Sequence, residues 1–218
     1  MNPKKERDSV TIKEVNIDLP DINEPLTNLD SLYWRVSKLV PGERLAFDLK
    51  NIKFLRPLGI ISLLLAAKQA HEKTQQRVRL HNLKQEVLYY LERVNFFQYD
   101  FVYTLETLQF WDRWSRSRNS LSVIEIAKLT SPHDVFALRE RIEQILETWF
   151  DGKPLQTYRD SAVKAIMEIC NNSIEHSELG LADNQYGECF CLLQKYTHGN
   201  SPEIAVAIGD LGVGNPTH

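Results

Sequence analysis

The run LGIISLLLAA, residues 58–67, passes ten consecutive residues without a charge. A bilayer span needs about 20 apolar residues, so this segment reads as a helix destined for a protein core. Pro57 stands just before it, at a first helical position where a missing N–H costs little. Strand-like stretches flank it, RLAFDLKNI (44–52) before and RVRLHN (77–82) after. A buried helix between two strands is the repeating unit of an α/β layer, and that unit limits the folds open to this chain.

The alternation continues in both directions. VTIKEVNIDLP (10–20) reads as an edge strand ending at Pro20, and LTNLDSLYWRVSKLV (26–40) carries apolar residues at helical spacing up to Pro41-Gly42. KQEVLYYLERV (84–94) is a second amphipathic helix. TLETLQFWDRWSRSR (104–118) is expected to be helical, with Trp111 and Trp114 packing between two blocks. The second block opens with the strand LSVIEIAKL (121–129). A long helix follows, with Ser131 as N-cap and Pro132 at its first position. Another helix spans about 157–177, with Ala162, Ala165, Ile166 and Ile169 expected to face a sheet. GECFCLLQKY (187–196) and EIAVAIGD (203–210) are the final strands.

Hydrophobic residues make up 43% of the 218, enough for a sizeable core, and the formal net charge is −3. That charge gives no reason to expect nucleic acid as a partner, and the basic run RWSRSR (113–118) reads as a solvated helix end or interdomain face. The N-terminus MNPKKERDSV lacks the apolar stretch of a signal peptide. A cytoplasmic protein without a membrane partner is the expectation. Cys170, Cys189 and Cys191 form no metal-ligand pattern; Cys189 and Cys191 share one face of a strand and are expected to be buried.

Two stretches suggest chemistry. In EICNNSIEHS (168–177), Glu168 and Asn172 lie one helical turn apart on one face, and His176 continues the line. A carboxylate beside a carboxamide suits a hard, oxygen-ligated cation and a bound water. The plainer reading is a solvated helix face. In GDLGVGNP (209–216), a buried-type strand runs into Asp210, then Gly212 and Gly214. A carboxylate fixed there is able to accept a hydrogen bond from an exocyclic amine, and the glycines let backbone approach a flat base. A tight turn after an edge strand is again the plainer alternative.

Together, E-x-x-x-N at Glu168–Asn172 and D-x-G-x-G at Asp210–Gly214 resemble the N-box and G1 box of the GHKL, or Bergerat-fold, ATPases. NNSIEHS is similar to the bacterial regulatory kinases among them, the anti-sigma-factor serine kinases in particular. The resemblance implies ATP or ADP with Mg²⁺ as ligands. Glu168 would polarise the attacking water or hydroxyl and Asn172 would bind Mg²⁺. Asp210 would recognise the adenine amine, Gly212 and Gly214 would shape its pocket, and His176 would complete the nucleotide-binding set. The family continues with a lid and a second glycine box, whereas this sequence stops at His218. A fragment of a longer protein, itself weakly active or inactive, is the expectation.

LAFDLKNIKFLRPLGIISLLLAAKQA (45–70) resembles the STAS domain, in which a strand ending in Asp-Leu leads through a short loop to a helix with a glycine near its start, here Gly59. Arg56-Pro57-Leu58-Gly59 stands where antagonist members carry a phosphorylatable serine. Serine phosphorylation there is not expected, and Ser62 is a poor substitute. The combined expectation is two α/β sandwich domains. Residues 1–103 form a STAS-like mixed sheet with helices, 104–120 a helical linker, and 121–218 an incomplete Bergerat-fold layer. The implied role is partner switching in signalling, with a regulatory partner protein and a homo-oligomeric state. The alternative is a non-enzymatic STAS-type interaction module with a degenerate or incomplete nucleotide site.

Overall fold

The computed structural model describes residues 12–20, 22–23, 26–107, 122–149, 156–176, 186–198 and 201–212. The expected helix over 104–118, the linker built on it and its two tryptophans lie mostly outside the described residues, as does Gly214.

The first sheet is built from β1 (Glu14–Asp18), β2 (Arg44–Asp48), β3 (Val78–His81) and β4 (Val102–Thr104), in that spatial order. All of its pairs are parallel, rather than the mixed sheet expected. Helices α1 (Leu26–Ser37), α2 (Pro57–Thr74) and α3 (Gln85–Arg93) make the connections. Parallel neighbours require crossovers, and right-handed crossovers between strands in simple sequential order place every helix on one face. Alternation agrees with this. Ile17, Leu45, Phe47, Val78, Leu80 and Val102 join the helices in one core. The opposite face carries Glu14, Asn16, Asp18, Arg79 and His81, all at least partly accessible. The strand β4 was not foreseen; three residues are too few to show a period.

The second sheet is antiparallel, β5 (Val123–Leu129), β6 (Cys189–His198) and β7 (Ser201–Asp210), with β6 in the centre. Helices α4 (Pro132–Trp149) and α5 (Gln156–His176) cover one of its faces, α4 over β5 and α5 over β6 and β7. Ser131 caps α4 as the sequence predicts: its Oγ accepts the Asp134 N–H at 3.3 Å, while the Asp134 carboxylate accepts the Thr130 N–H at 2.9 Å. The backbone donors at the helix start and the acidic side chain thereby satisfy one another, and the Asp134 carboxyl is held below its ordinary value, chiefly by the Thr130 N–H.

The other face of the second sheet lies against α2. Every residue of α2 from Gly59 to Ala67 is buried, which takes in more than two full turns. A helix apolar all round needs cover all round. Here the parallel sheet supplies one side, and Val123, Ile126, Phe190, Leu192 and Ala207 of the antiparallel sheet join the same core from the other. At Gly209 the strand approaches α2 tightly: an added Cβ would lie 2.7 Å from Leu65 Cδ1 and 2.9 Å from Ile61 Cγ2. At the start of α2, the Asn23 side chain donates to the Phe54 carbonyl at 2.7 Å and accepts the Arg56 N–H. Gly59 leaves room for this clamp, since a Cβ there would sit 3.1 Å from Asn23 Oδ1. Ser62 is buried within α2, and Tyr33 donates to its carbonyl.

No helix among the described residues is long and apolar enough to cross a membrane.

Candidate functional site

Helix α5 owes its position to Val163, Ile166, Met167, Cys170 and Ile174, which recur every three or four residues and are buried. The sheet-facing stripe is therefore turned from the expected one. Ile166 holds its place, but Ala162 and Ala165 are exposed and Ile169 is 51% exposed. The stripe on Val163 and Met167 buries larger side chains than the alanines offer, and burial scales with apolar area.

Opposite this stripe, Lys164, Glu168, Asn172 and His176 follow one another at intervals of four, about 6 Å per step along the axis. All four are exposed. Glu168 and Asn172 border a groove of about 570 Å³ between α4 and α5, whose lining includes Arg139, Glu143, Lys164 and Asn171. Two features escaped the sequence reading, Asn171 and Lys164. The signal for Lys164 was present, because it precedes Glu168 by the same interval that separates Glu168 from Asn172. His176 stands further along the helix and does not line the groove. The groove lining carries Glu143, Asp160, Glu168 and Glu175 against Arg139 and Lys164. Arg139 is committed to Glu143 at 2.7 Å. This face is net negative and attracts cations.

Asp210 belongs to the other flank of α5. It ends β7, opposite Cys189 in the antiparallel register. Gly209 faces α2, so by alternation Asp210 projects to the α5 side of the sheet. Two contacts fix its level along the helix. Cys189 Sγ donates to the Cys170 carbonyl at 3.9 Å, and the Gly187 N–H donates to the Ile174 carbonyl at 2.7 Å. Asp210 is thus level with Cys170–Ile174, the stretch that contains Asn172. Its Oδ1 accepts the Gly212 N–H at 2.8 Å, an aspartate turn that fixes the carboxylate and the first glycine of the D-x-G pair. Among the described residues its other oxygen has no hydrogen bond.

Around the helix, at about 100° per residue, Ile169 lies roughly 160° from Asn171, on the flank away from α4. Ile169 is 51% exposed on that flank, and the half-buried Ile208 stands two residues before Asp210 on the same face of β7. The structure therefore brings Glu168 and Asn172 together in one groove and Asp210 and Gly212 together in one turn. Asn172 sits near the crest between the two flanks.

The donor chemistry suits the ligands that the sequence resemblance implies. A carboxylate with one uncommitted oxygen is a fitting acceptor for an exocyclic amine, and an exposed carboxamide is a neutral hard ligand. Among the described residues no three His, Cys, Asp or Glu side chains converge to hold a metal ion. Mg²⁺ held by one or two side chains and by substrate phosphates requires no such cage.

The three cysteines are free and fully buried. Its hydrogen bonding with Cys170 and its burial both push the Cys189 thiol up. Thiolate is the reactive form, so Ellman's reagent is expected to find no fast-reacting thiol in the folded chain and three after denaturation. Stoichiometric reaction of any one within minutes under native conditions would contradict this packing.

Comparison with family models, with curated proteins and with solved structures returns no match for this chain.

Proposed function

We propose that the second half of the chain binds an adenine nucleotide with Mg²⁺, as the N-terminal part of a GHKL-type domain, and that the first half is a STAS-like module. The observation that carries this reading is the level of Asp210 alongside Cys170–Ile174, the stretch that contains Asn172, with one carboxylate oxygen that makes no hydrogen bond among the described residues. In this reading Asp210 accepts a hydrogen bond from the adenine amine, and Gly212 keeps the adjoining backbone thin enough for the base to approach. Ile169 and Ile208 offer the base apolar surface. Asn172 supplies an amide oxygen to Mg²⁺, which when bound would neutralise phosphate charge. Glu168, one turn on, accepts the proton of the attacking water or hydroxyl. The protein is a cytoplasmic signalling component acting by partner switching, as a homo-oligomer with a regulatory partner protein, in the manner of the anti-sigma-factor serine kinases.

A second reading is favoured by one feature of Glu168. It is exposed and makes no hydrogen bond or ion pair among the described residues, so nothing orients it as a base. Nucleotide would then gate an interaction surface without turnover.

Calorimetric titration of Mg-ATP and Mg-ADP into the chain tests the site. Saturable binding is expected, weakened at least tenfold in Asp210→Asn, which replaces an acceptor oxygen by an N–H₂ donor facing the base amine. Equal affinity in the variant would remove Asp210 from the site. Phosphate transfer that disappears in Glu168→Ala selects the kinase reading, and binding without transfer selects the gated module.

A further inference from the structure

The line on α5 has a fourth member that the GHKL-type motif does not account for. Lys164 precedes Glu168 by one turn on the same face and lines the same groove as Glu168 and Asn172. The other basic residue there, Arg139, is neutralised by Glu143. Lys164 has no ion pair or hydrogen bond among the described residues, although Asp160 and Glu168 are four residues away on either side. The groove thus holds one cation with uncommitted charge, on a helix whose acids lie beside it.

The polarity of the site gives this cation a direction. Asp210 is level with Cys170–Ile174, in the C-terminal half of α5. With a base held at Asp210 on one flank and a metal held at Asn172 on the crest, a phosphate chain that passes Glu168 runs toward the N-terminal end of the helix. Lys164 is the next side chain in that direction, about 6 Å beyond Glu168 and 12 Å beyond Asn172 along the axis. Its flexible four-carbon stem and compact charge suit a mobile terminal phosphate better than a fixed planar contact would.

Resting on the nucleotide reading above, we propose that Lys164 is a binding residue for the terminal phosphate of a nucleoside triphosphate, and sets the preference for triphosphate over diphosphate. The groove's net negative charge works against a polyphosphate, which makes its one uncommitted cation the group on which approach of a terminal phosphate depends. A polyphosphate approaching Glu168 and Asp160 meets repulsion that one uncommitted cation at the phosphate end relieves, and a ligand one phosphate shorter does not reach it. Lys164 contributes nothing to recognition of the base, which lies on the other flank of α5 at the level of Cys170–Ile174.

The test is titration of Mg-ATP, Mg-ADP and adenosine into the whole chain, comparing the unsubstituted protein with Lys164→Gln and Lys164→Arg. Lys164 is exposed, so both variants are expected to melt within a few degrees of the parent. The expected result is about a tenfold loss of Mg-ATP affinity in Lys164→Gln, the equivalent of one charge-assisted contact. Mg-ADP should change less than threefold, adenosine not at all, and Lys164→Arg should keep most of the ATP preference. An unchanged ATP-to-ADP affinity ratio in Lys164→Gln, with binding otherwise intact, overturns the proposal and leaves the nucleotide reading standing. Equal losses for all three ligands overturn it in favour of a structural role. If the unsubstituted chain binds none of the three, the nucleotide reading fails and this proposal falls with it.

Discussion

Substituting valine for Gly209 is expected to destabilise the protein by about 1–3 kcal/mol, because the new side chain must enter an already filled interface. A single added Cβ would lie within 3 Å of both Leu65 and Ile61. Those two side chains are themselves buried in the core on α2, which is packed on all sides and has no direction in which to yield. Strand β7 would have to lift away from α2, loosening the contact between the two sheets. Because Asp210 is the next residue, the same displacement would tilt its carboxylate away from α5. Urea denaturation checks the first effect. A midpoint equal to that of the parent would mean that α2 and β7 are not in the contact described, and Gly209→Ala should fall between the two.

Removing the Asp48 carboxylate is the second large effect. Asp48 closes β2 and is buried, yet it is well supplied with donors. The Lys50 N–H reaches Oδ1 at 2.9 Å, the Asn82 amide reaches it at 3.0 Å, and the Lys50 ammonium lies 3.1 Å from Oδ2. Burial alone would push this carboxyl up; the hydrogen bonds from Lys50 and Asn82 outweigh it, and the group titrates at about 2. An unfolded aspartate titrates near 4, about two units higher. The folded state therefore gains from the ionised form, and that gain is complete above about pH 4 and is lost as pH falls toward 2. Asp48→Ala should cost about 1–2 kcal/mol at neutral pH, since it removes the charged acceptor shared by Lys50 and Asn82, whose exposed donors then turn to water. It should also flatten the acid limb of a stability–pH curve measured by denaturant titration. A curve with an unchanged slope between pH 4 and 2 would show that another carboxyl is responsible for it.

Asp48 and Gly209 illustrate different degrees of legibility. The strand that ends at Asp48, the loop after it and the helix that begins at Pro57 were readable because each obeys a local rule: alternation, then a proline at the first helical position. The same holds for Ser131 and α4, where the cap and its acidic partner lie three residues apart in sequence. Glu168, Asn172 and His176 were assigned to one helical line from spacing alone, and the helix places them so. Local geometry fixes such relations within a few residues, and sequence carries it.

What tertiary structure decided depends on contacts between distant segments. The apolar run 58–67 told that α2 would be buried, but not that a second sheet would cover its far side. The wholly parallel order of the first sheet is likewise a matter of which strands pair, and periodicity is silent about pairing partners. The rotation of α5, which exposes Ile169 and buries Met167, follows from which stripe buries more apolar area against the sheet, a comparison that spacing alone does not make. The separation of the candidate residues onto two flanks, Glu168 and Asn172 toward α4 and Asp210 along β7, follows from that rotation and from the antiparallel register of β6 with β7. The sequence by itself determined most of the elements, β4 excepted, and the candidate residues Glu168, Asn172 and Asp210, but not Lys164 or Asn171. The fold alone determined which of them share a surface, because sharing a surface is a property of packing between segments and not of spacing within one.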